Sequence, residues 1–364
     1  MSLTCGIVGL PNVGKSTLFN ALTSAQVPAS NFPFCTIDPN IGIVPVPDGR
    51  LDKISAIVKP PKTTHTTIEF VDIAGLVGGA SKGEGLGNKF LGHIREVKAI
   101  VEIVRCFDDP NVVHVDGGVD PKRDIETIHT ELCLADLETA THAAERAKTQ
   151  AKSGDKTHLA KAHLFERVRD ELAKGIPARA IRFDFEESLA VRELHLLTAK
   201  PILYVCNVDE GQLGKVNPLR GIVEEIARKE GSEAVEIAAK VEAELTELAP
   251  EERQVFLADF GLAETGLIRL IHAAYRLLNL ITFFTTQGPE CRAWTVVSGT
   301  KAPQAAGTIH TDFERGFISA EIYPCEELFK HVTEANLRHK GIMRLEGKEY
   351  VLRDGDIAHF RFNV

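Results

Sequence analysis

Short apolar runs alternate with amphipathic stretches along most of the chain. CGIVGL (5–10) is an apolar run that leads into a glycine-rich turn, and TLFNALT (17–23) then carries apolar residues at helical spacing. TTIEFVD (66–72), AIVEIVRCF (99–107), ILYVC (202–206) and AVEIA (234–238) are further runs of strand length. Near-continuous apolar strands separated by helical segments predict a parallel α/β sheet covered on both faces. Between 123 and 198 the period changes. Ile125, Ile128, Leu132 and Ala135 follow spacings of three and four, and Leu164, Val168 and Leu172 repeat every four after SGDK (153–156). That pattern predicts two long antiparallel helices turning at Gly154, inserted between sheet strands. From about 279 the chain reads as short strands: LITFFTT (280–286), CRAWTVV (291–297), GFISAEI (316–322) and EYVLRDGDIAHFRF (349–362). One helical stretch, PCEELFKHVTEANLRHK (324–340), intervenes, which suits a compact α+β module. The expected division is therefore 1–122 with 199–278 for the α/β domain, 123–198 for a helical arm and 279–364 for the last module.

Composition narrows the class. A chain of 364 residues is too long for one ordinary core. Its net charge of −9 argues against nucleic-acid affinity over the whole surface and leaves local basic patches open. One such patch is the arm tip. Residues 145–169 hold seven Lys or Arg against three acids, and either RNA contact or a solvated hairpin accounts for that charge. The seven Cys form no C-x-x-C pair, which reads as reduced thiols in a cytoplasmic protein. The first residues, MSLTCGIVGL, lack the basic start and apolar core of a signal peptide, and no membrane span is expected.

Chemistry concentrates in the α/β part. Gly9-Leu-Pro-Asn-Val-Gly14-Lys15-Ser16 matches the phosphate-binding pattern G-x-x-x-x-G-K-[ST] between a strand and a helix. In that context the backbone around Asn12, Val13 and Gly14, with Thr17 at the helix start, cradles phosphates. Lys15 lies along the β- and γ-phosphates, and Ser16 ligates Mg²⁺. The strand ending at Asp72, followed by Gly75, supplies a carboxylate for Mg²⁺ and an N–H for the γ-phosphate. Thr36, in the loop FPFCTIDPN (32–40), is the candidate for completing the Mg²⁺ shell. Six glycines between 75 and 87 make the next stretch a switch-loop candidate.

Two positions depart from a GTPase. Leu76 stands where many GTPases carry a water-orienting Gln. His114, in the loop after 99–107, can orient water, although its local sequence alone favours a packing role. In YVCNVDE (204–210), Asn207 follows a buried strand as in the Asn-Lys-x-Asp guanine motif, but Val208 replaces Lys and Glu210 replaces Asp. Guanine thereby loses its carboxylate partner. Asn207 is expected to pair the N6 and N7 edge of adenine, with backbone near Ala239 in support.

GLPNVGKST, FPFCTIDPN, DIAGLVGGASKGEGLGNKFL, NVDE and WTVVSGTKAPQAAGTIHTDFERGFISAE together resemble the YchF subfamily of Obg-related P-loop ATPases, across essentially the whole chain. The resemblance implies an ATPase with Asn-x-x-Glu for base recognition, a hydrophobic residue at Leu76 and a catalytic His at His114. It also implies a coiled-coil arm, a C-terminal β-grasp (TGS) domain and a ribosomal or RNA-containing partner. Relatives with Asn at the position of Asn12 include users of K⁺ beside Mg²⁺. The base loop departs from the family pattern, reading Ala-Ala-Lys for Ser-Ala-Lys. Two alternatives stay open: a GTPase of the Obg type, and a nucleotide-gated ribosome- or RNA-binding protein whose hydrolysis is incidental. His310, Thr311 and Asp312 are expected to cap or turn within their own domain.

Overall fold

The computed structural model describes residues 3–24, 40–74, 86–110, 112, 118–152 and 155–363. Its strands are β1 (Thr4–Val8), β2 (Ile41–Pro45), β3 (Lys62–Thr64), β4 (Thr67–Asp72), β5 (Ala99–Arg105) and β6 (Ile202–Asn207). They continue with β7 (Glu233–Ile237), β8 (Leu280–Thr285), β9 (Glu290–Val297), β10 (Phe317–Pro324), β11 (Arg344–Glu346) and β12 (Asp356–Phe362). The chain forms two compact units, 1–43 with 69–274 and 44–68 with 275–364.

The first unit is built on a sheet of order β2-β4-β1-β5-β6-β7. β1 pairs in parallel with β4 and β5, and β5-β6-β7 continue in parallel. Every residue of β5 and β6 is buried, as their apolar runs require of strands covered on both faces. Parallel pairing puts the turns after β1, β4, β5, β6 and β7 along one carboxyl edge, where ligands of such sheets bind.

The arm belongs to this unit. Its first helix, Pro121–Ala151, starts at an Asp120 side chain that accepts from Lys122 N and Arg123 N. Its second, Lys156–Ala173, starts at Asp155. Ala140, Ala144 and Ala147 pack into one core with Phe165, Val168 and Leu172. Small residues opposite large ones allow close approach. The expected turn at Gly154 lies outside the described residues. The second helix is shorter than the pattern suggested. Gly175 at φ +78° and Pro177 end it, and a separate helix, Phe185–Arg192, follows. The arm root is polar. Asp136 accepts from Leu197 N at 2.8 Å and from Thr198 N and Oγ1 at 2.7 Å each. Burial raises its pKa against those bonds. His129 of the first helix sits 3.2 Å from Glu102 of β5.

The second unit holds the sheet β11-β10-β12-β8-β9-β3. β3 runs parallel to β9. Residues 44–68, assigned by pattern to the nucleotide-binding domain, thus supply a strand and the helix Gly49–Val58 to this unit. Leu51 and Ile54 of that helix are buried with Phe284, Tyr323 and Ile357. The expected single helix at 324–340 is two, Cys325–His331 and Glu334–His339, interrupted by Val332 at φ +64°. Within 349–362 only Asp356–Phe362 is strand. His310 caps the short helix Thr311–Arg315, its Nδ1 accepting from Asp312 N at 3.2 Å, which is the local role expected of it.

Among the described residues, no helix is long and apolar enough to cross a membrane. Six of the cysteines are described, and all six are free and buried.

Candidate nucleotide site

The turn after β1 holds its shape through unusual backbone angles. Asn12 lies at φ +64° and Gly14 at φ +95°. Asn tolerates the left-handed region, and Gly14 has no side chain to strain there. Leu18 N donates to Gly14 O at 3.0 Å, opening the helix Lys15–Ser24. Leu18, Phe19, Ala21 and Leu22 bury that helix's inner face. Ser16 and Thr17 are left exposed at its N-terminus. Unpaired N–H groups and the positive end of the helix dipole meet there.

Asp72, the last residue of β4, forms an ion pair with Lys15, and both side chains are largely buried at 20% and 12% exposure. The two strand ends therefore converge on one point. Asp72 and Ser16 offer a carboxylate and a hydroxyl, the hard oxygen donors that suit Mg²⁺ completed by substrate phosphates. The donor set fits the ion. Thr36, Gly75, Leu76 and His114 lie outside the described residues.

The base end differs from expectation in one respect. Asn207 is 4% exposed, and both ends of its amide are engaged by the protein. Nδ2 donates to Val13 O at 2.8 Å, and Oδ1 accepts from Ala239 N at 3.0 Å. The expected bidentate pairing with adenine needs both ends turned outward. One N–H and one lone pair remain, so the side chain serves first as a strap between the phosphate turn and the base loop. The strap also explains Gly14: a Cβ there would stand 2.3 Å from Asn207 Nδ2.

Val208 is buried, its N–H given to Ile237 O at 2.8 Å. Asp209 and Glu210 are exposed, with Glu210 opening a short turn to Gln212. Ala239 is buried at the first position of the helix Ala239–Glu247, which packs beside Lys15–Ser24.

Sequence reading missed Arg105. It ends β5 and is 1% exposed. Its Nε donates to Phe107 O at 3.1 Å, Nη1 to Val112 O at 3.0 Å and Nη2 to Asp109 O at 3.3 Å. The guanidinium also lies 4.6 Å from the Phe107 ring centroid. A buried cation needs such satisfaction, and here it gathers the start of the loop that leads to His114. The available signal was an arginine closing a strand that is apolar but for Glu102.

Phosphate turn, lysine, strand-end carboxylate and strapped base loop define a P-loop nucleoside-triphosphate-binding domain. A family model described as a 50S ribosome-binding GTPase matches residues 4–140, and one described as the YchF-GTPase C-terminal region, of unknown function, matches 280–363. The ribosome-binding ATPase YchF of Escherichia coli O157:H7 is 53% identical over 364 residues, with all of both chains covered. That of Bacillus subtilis is 52% identical over 366 residues, again with full coverage. The solved structure of the Schizosaccharomyces pombe YchF GTPase matches with a TM-score of 0.89 at 38% identity, covering 99% of this chain and 98% of that one. The chain belongs to the YchF family.

Proposed function

We propose that this protein is a cytoplasmic, Mg²⁺-dependent ATPase whose nucleotide state is read by the ribosome. The observation that carries the reading is the convergence of Lys15, Asp72 and the Asn207 strap on one edge of the sheet. The full-length likeness to proteins named ribosome-binding ATPases supports both the reaction and the partner.

Lys15, freed from Asp72 by incoming phosphates, neutralises the β- and γ-phosphate oxygens. The N–H groups of the turn and of Gly75 take up the charge that builds on the γ-phosphoryl group. Ser16, Asp72 and Thr36 would hold Mg²⁺, which would supply charge neutralisation at the phosphates. With Leu76 unable to bond water, His114 orients the nucleophile. Water attacks the γ-phosphorus, the bond to the bridging β–γ oxygen breaks, and ADP leaves with those electrons. The water proton passes by way of His114 to the released phosphate.

Adenine preference rests on what the base end lacks. Glu210 is exposed and one methylene longer than the aspartate that reads guanine, so guanine finds no buried carboxylate for its N1 and N2 donors. Asn207 contributes position and at most one base contact. K⁺ beside Asn12 is a second cation consistent with the turn. The C-terminal unit is read as a TGS-type docking module, and the arm as a further contact to RNA. Competition of ATP and GTP for a fluorescent nucleotide tests the base preference, and a clear preference for GTP overturns it. Ribosome co-sedimentation with ATP, ADP and no nucleotide tests the switch, and binding blind to nucleotide overturns that half.

A further inference from the structure

A second charged cavity lies in the first unit, away from the phosphate turn. Its volume is about 620 Å³, within the range of small-ligand sites. Lys98 immediately precedes β5, and Lys200 and Pro201 precede β6, so the cavity opens at the amino ends of strands whose carboxyl ends face the nucleotide. The arm root closes it from the other side through Arg179, Arg192 and His195.

Its charge is one-sided. Arg95, Lys98, Arg179, Arg192 and Lys200 line it, with no Asp or Glu among the lining residues. This gathers five basic side chains in a chain of net charge −9. Two of the five are held by the fold. Arg179 pairs with Glu230 at 2.9 Å, and Lys200 donates to Arg95 O at 3.1 Å. Even so, Arg179 Nε is buried without a hydrogen-bond partner. Arg95, Lys98 and Arg192 are exposed and form no ion pair among the described residues. Burial, then the neighbouring Lys98 charge, lowers the pKa of Lys200. Ile181, Phe183 and Pro201 add an apolar wall. At the arm tip Lys148, Lys161, Arg167 and Arg169 are each paired with a carboxylate, while Arg146, Lys152 and Lys156 form no ion pair among the described residues.

Clustered, unpaired cations repel one another and are relieved by a multivalent anion. Guanidinium groups favour phosphate oxygens, which they bond through two N–H groups at once. We propose that this cavity binds a free polyphosphate anion of nucleotide size, with the apolar wall beside any base it carries. The site is separate from the P-loop, so it stands whether or not the nucleotide there is ATP.

The test uses the full chain with its P-loop saturated by a non-hydrolysable ATP analogue and Mg²⁺. Inorganic tripolyphosphate is titrated by calorimetry, and one further site per chain is expected. The double variant Lys98→Glu/Arg192→Glu should bind it about tenfold or more weakly, since it replaces two attractive charges by two repulsive ones. Its melting temperature and ATP hydrolysis should be unchanged, because both side chains are exposed and far along the sheet from Lys15. Lys152→Glu at the arm tip should leave tripolyphosphate binding intact. No second site, or one untouched by the double variant, overturns the proposal. So does a single-stranded RNA oligonucleotide whose binding the double variant abolishes while tripolyphosphate fails to bind. That outcome assigns the cavity to an RNA backbone instead.

Discussion

Asn207 Nδ2 donates to the backbone oxygen of Val13 at 2.8 Å, so the last residue of β6 holds the phosphate-binding turn directly. The bond is buried, and the same amide accepts from Ala239 N. Asn207→Ala leaves Val13 O and Ala239 N without partners in a dry place, at about 1–3 kcal/mol for each group. ATP and GTP affinity should fall together, by about tenfold or more. Fluorescent-nucleotide titration measures this. A loss confined to ATP would make Asn207 a base reader and not a strap.

Gly14 faces the same amide. Alanine there must adopt φ +95° and place Cβ 2.3 Å from Asn207 Nδ2. The collision strikes a side chain pinned at both ends, so it cannot swing aside cheaply. Gly14→Ala should cost nucleotide binding almost entirely while the protein remains folded. Circular dichroism and calorimetric titration with ATP check the pair of outcomes. Near-normal affinity would mean that the strap yields easily.

Much of this was legible in the sequence, for physical reasons. β1, β5 and β6 stood out because strands buried on both faces leave long apolar runs, and β4 and β7 because their buried apolar positions alternate. The phosphate turn stood out because Gly14, Lys15 and Ser16 are the residue types that the chemistry demands at that spacing. The departure of residues 44–68 to the second unit did not stand out. The helix Gly49–Val58 buries only Leu51 and Ile54, and β3 is three residues long, too little for a pattern to assign. Asn207 was found, but its hold on Val13 O and Ala239 N was not expected, because a sequence shows a residue type and not which backbone groups already hold its amide. Arg105 was overlooked because its value lies in three carbonyls that follow it in a loop without period.

Glu334 sets an acid limit on the second unit. Its carboxylate accepts from Tyr323 OH at 2.7 Å and Thr286 Oγ1 at 2.9 Å, with His359 Nε2 at 3.4 Å. The His359 bond leads in lowering its pKa from the ordinary 4.5 to about 2, against the opposing effect of burial. A carboxylate whose pKa is depressed on folding contributes stability above its unfolded value and loses it on protonation. The contribution should be complete above pH 4.5 and fade as pH falls through about 2. Wild type should therefore melt above Glu334→Gln at neutral pH, with the gap closing across that window. A gap that does not change with pH would deny Glu334 this role.

Arg105 and His114 should act through one loop. Arg105 draws Phe107 O, Asp109 O and Val112 O onto one guanidinium, fixing the path that the chain takes toward His114. If His114 orients the attacking water, His114→Ala should lower kcat by about 100-fold or more with ATP affinity kept, in line with general-base contributions. Arg105→Met should also lower kcat, by about tenfold, through a misplaced loop, since small misplacements of a catalytic group are costly. Its ATP affinity should again persist, because the bonds of Lys15 and Asn207 do not involve Arg105. The double variant decides between the readings. Residues acting as one unit are not additive, so Arg105→Met should cost nothing further once His114 is alanine. Single-turnover hydrolysis of the four proteins, with melting temperatures as a fold control, measures the coupling. Additive losses would separate Arg105 from the catalytic loop and leave it a structural arginine alone.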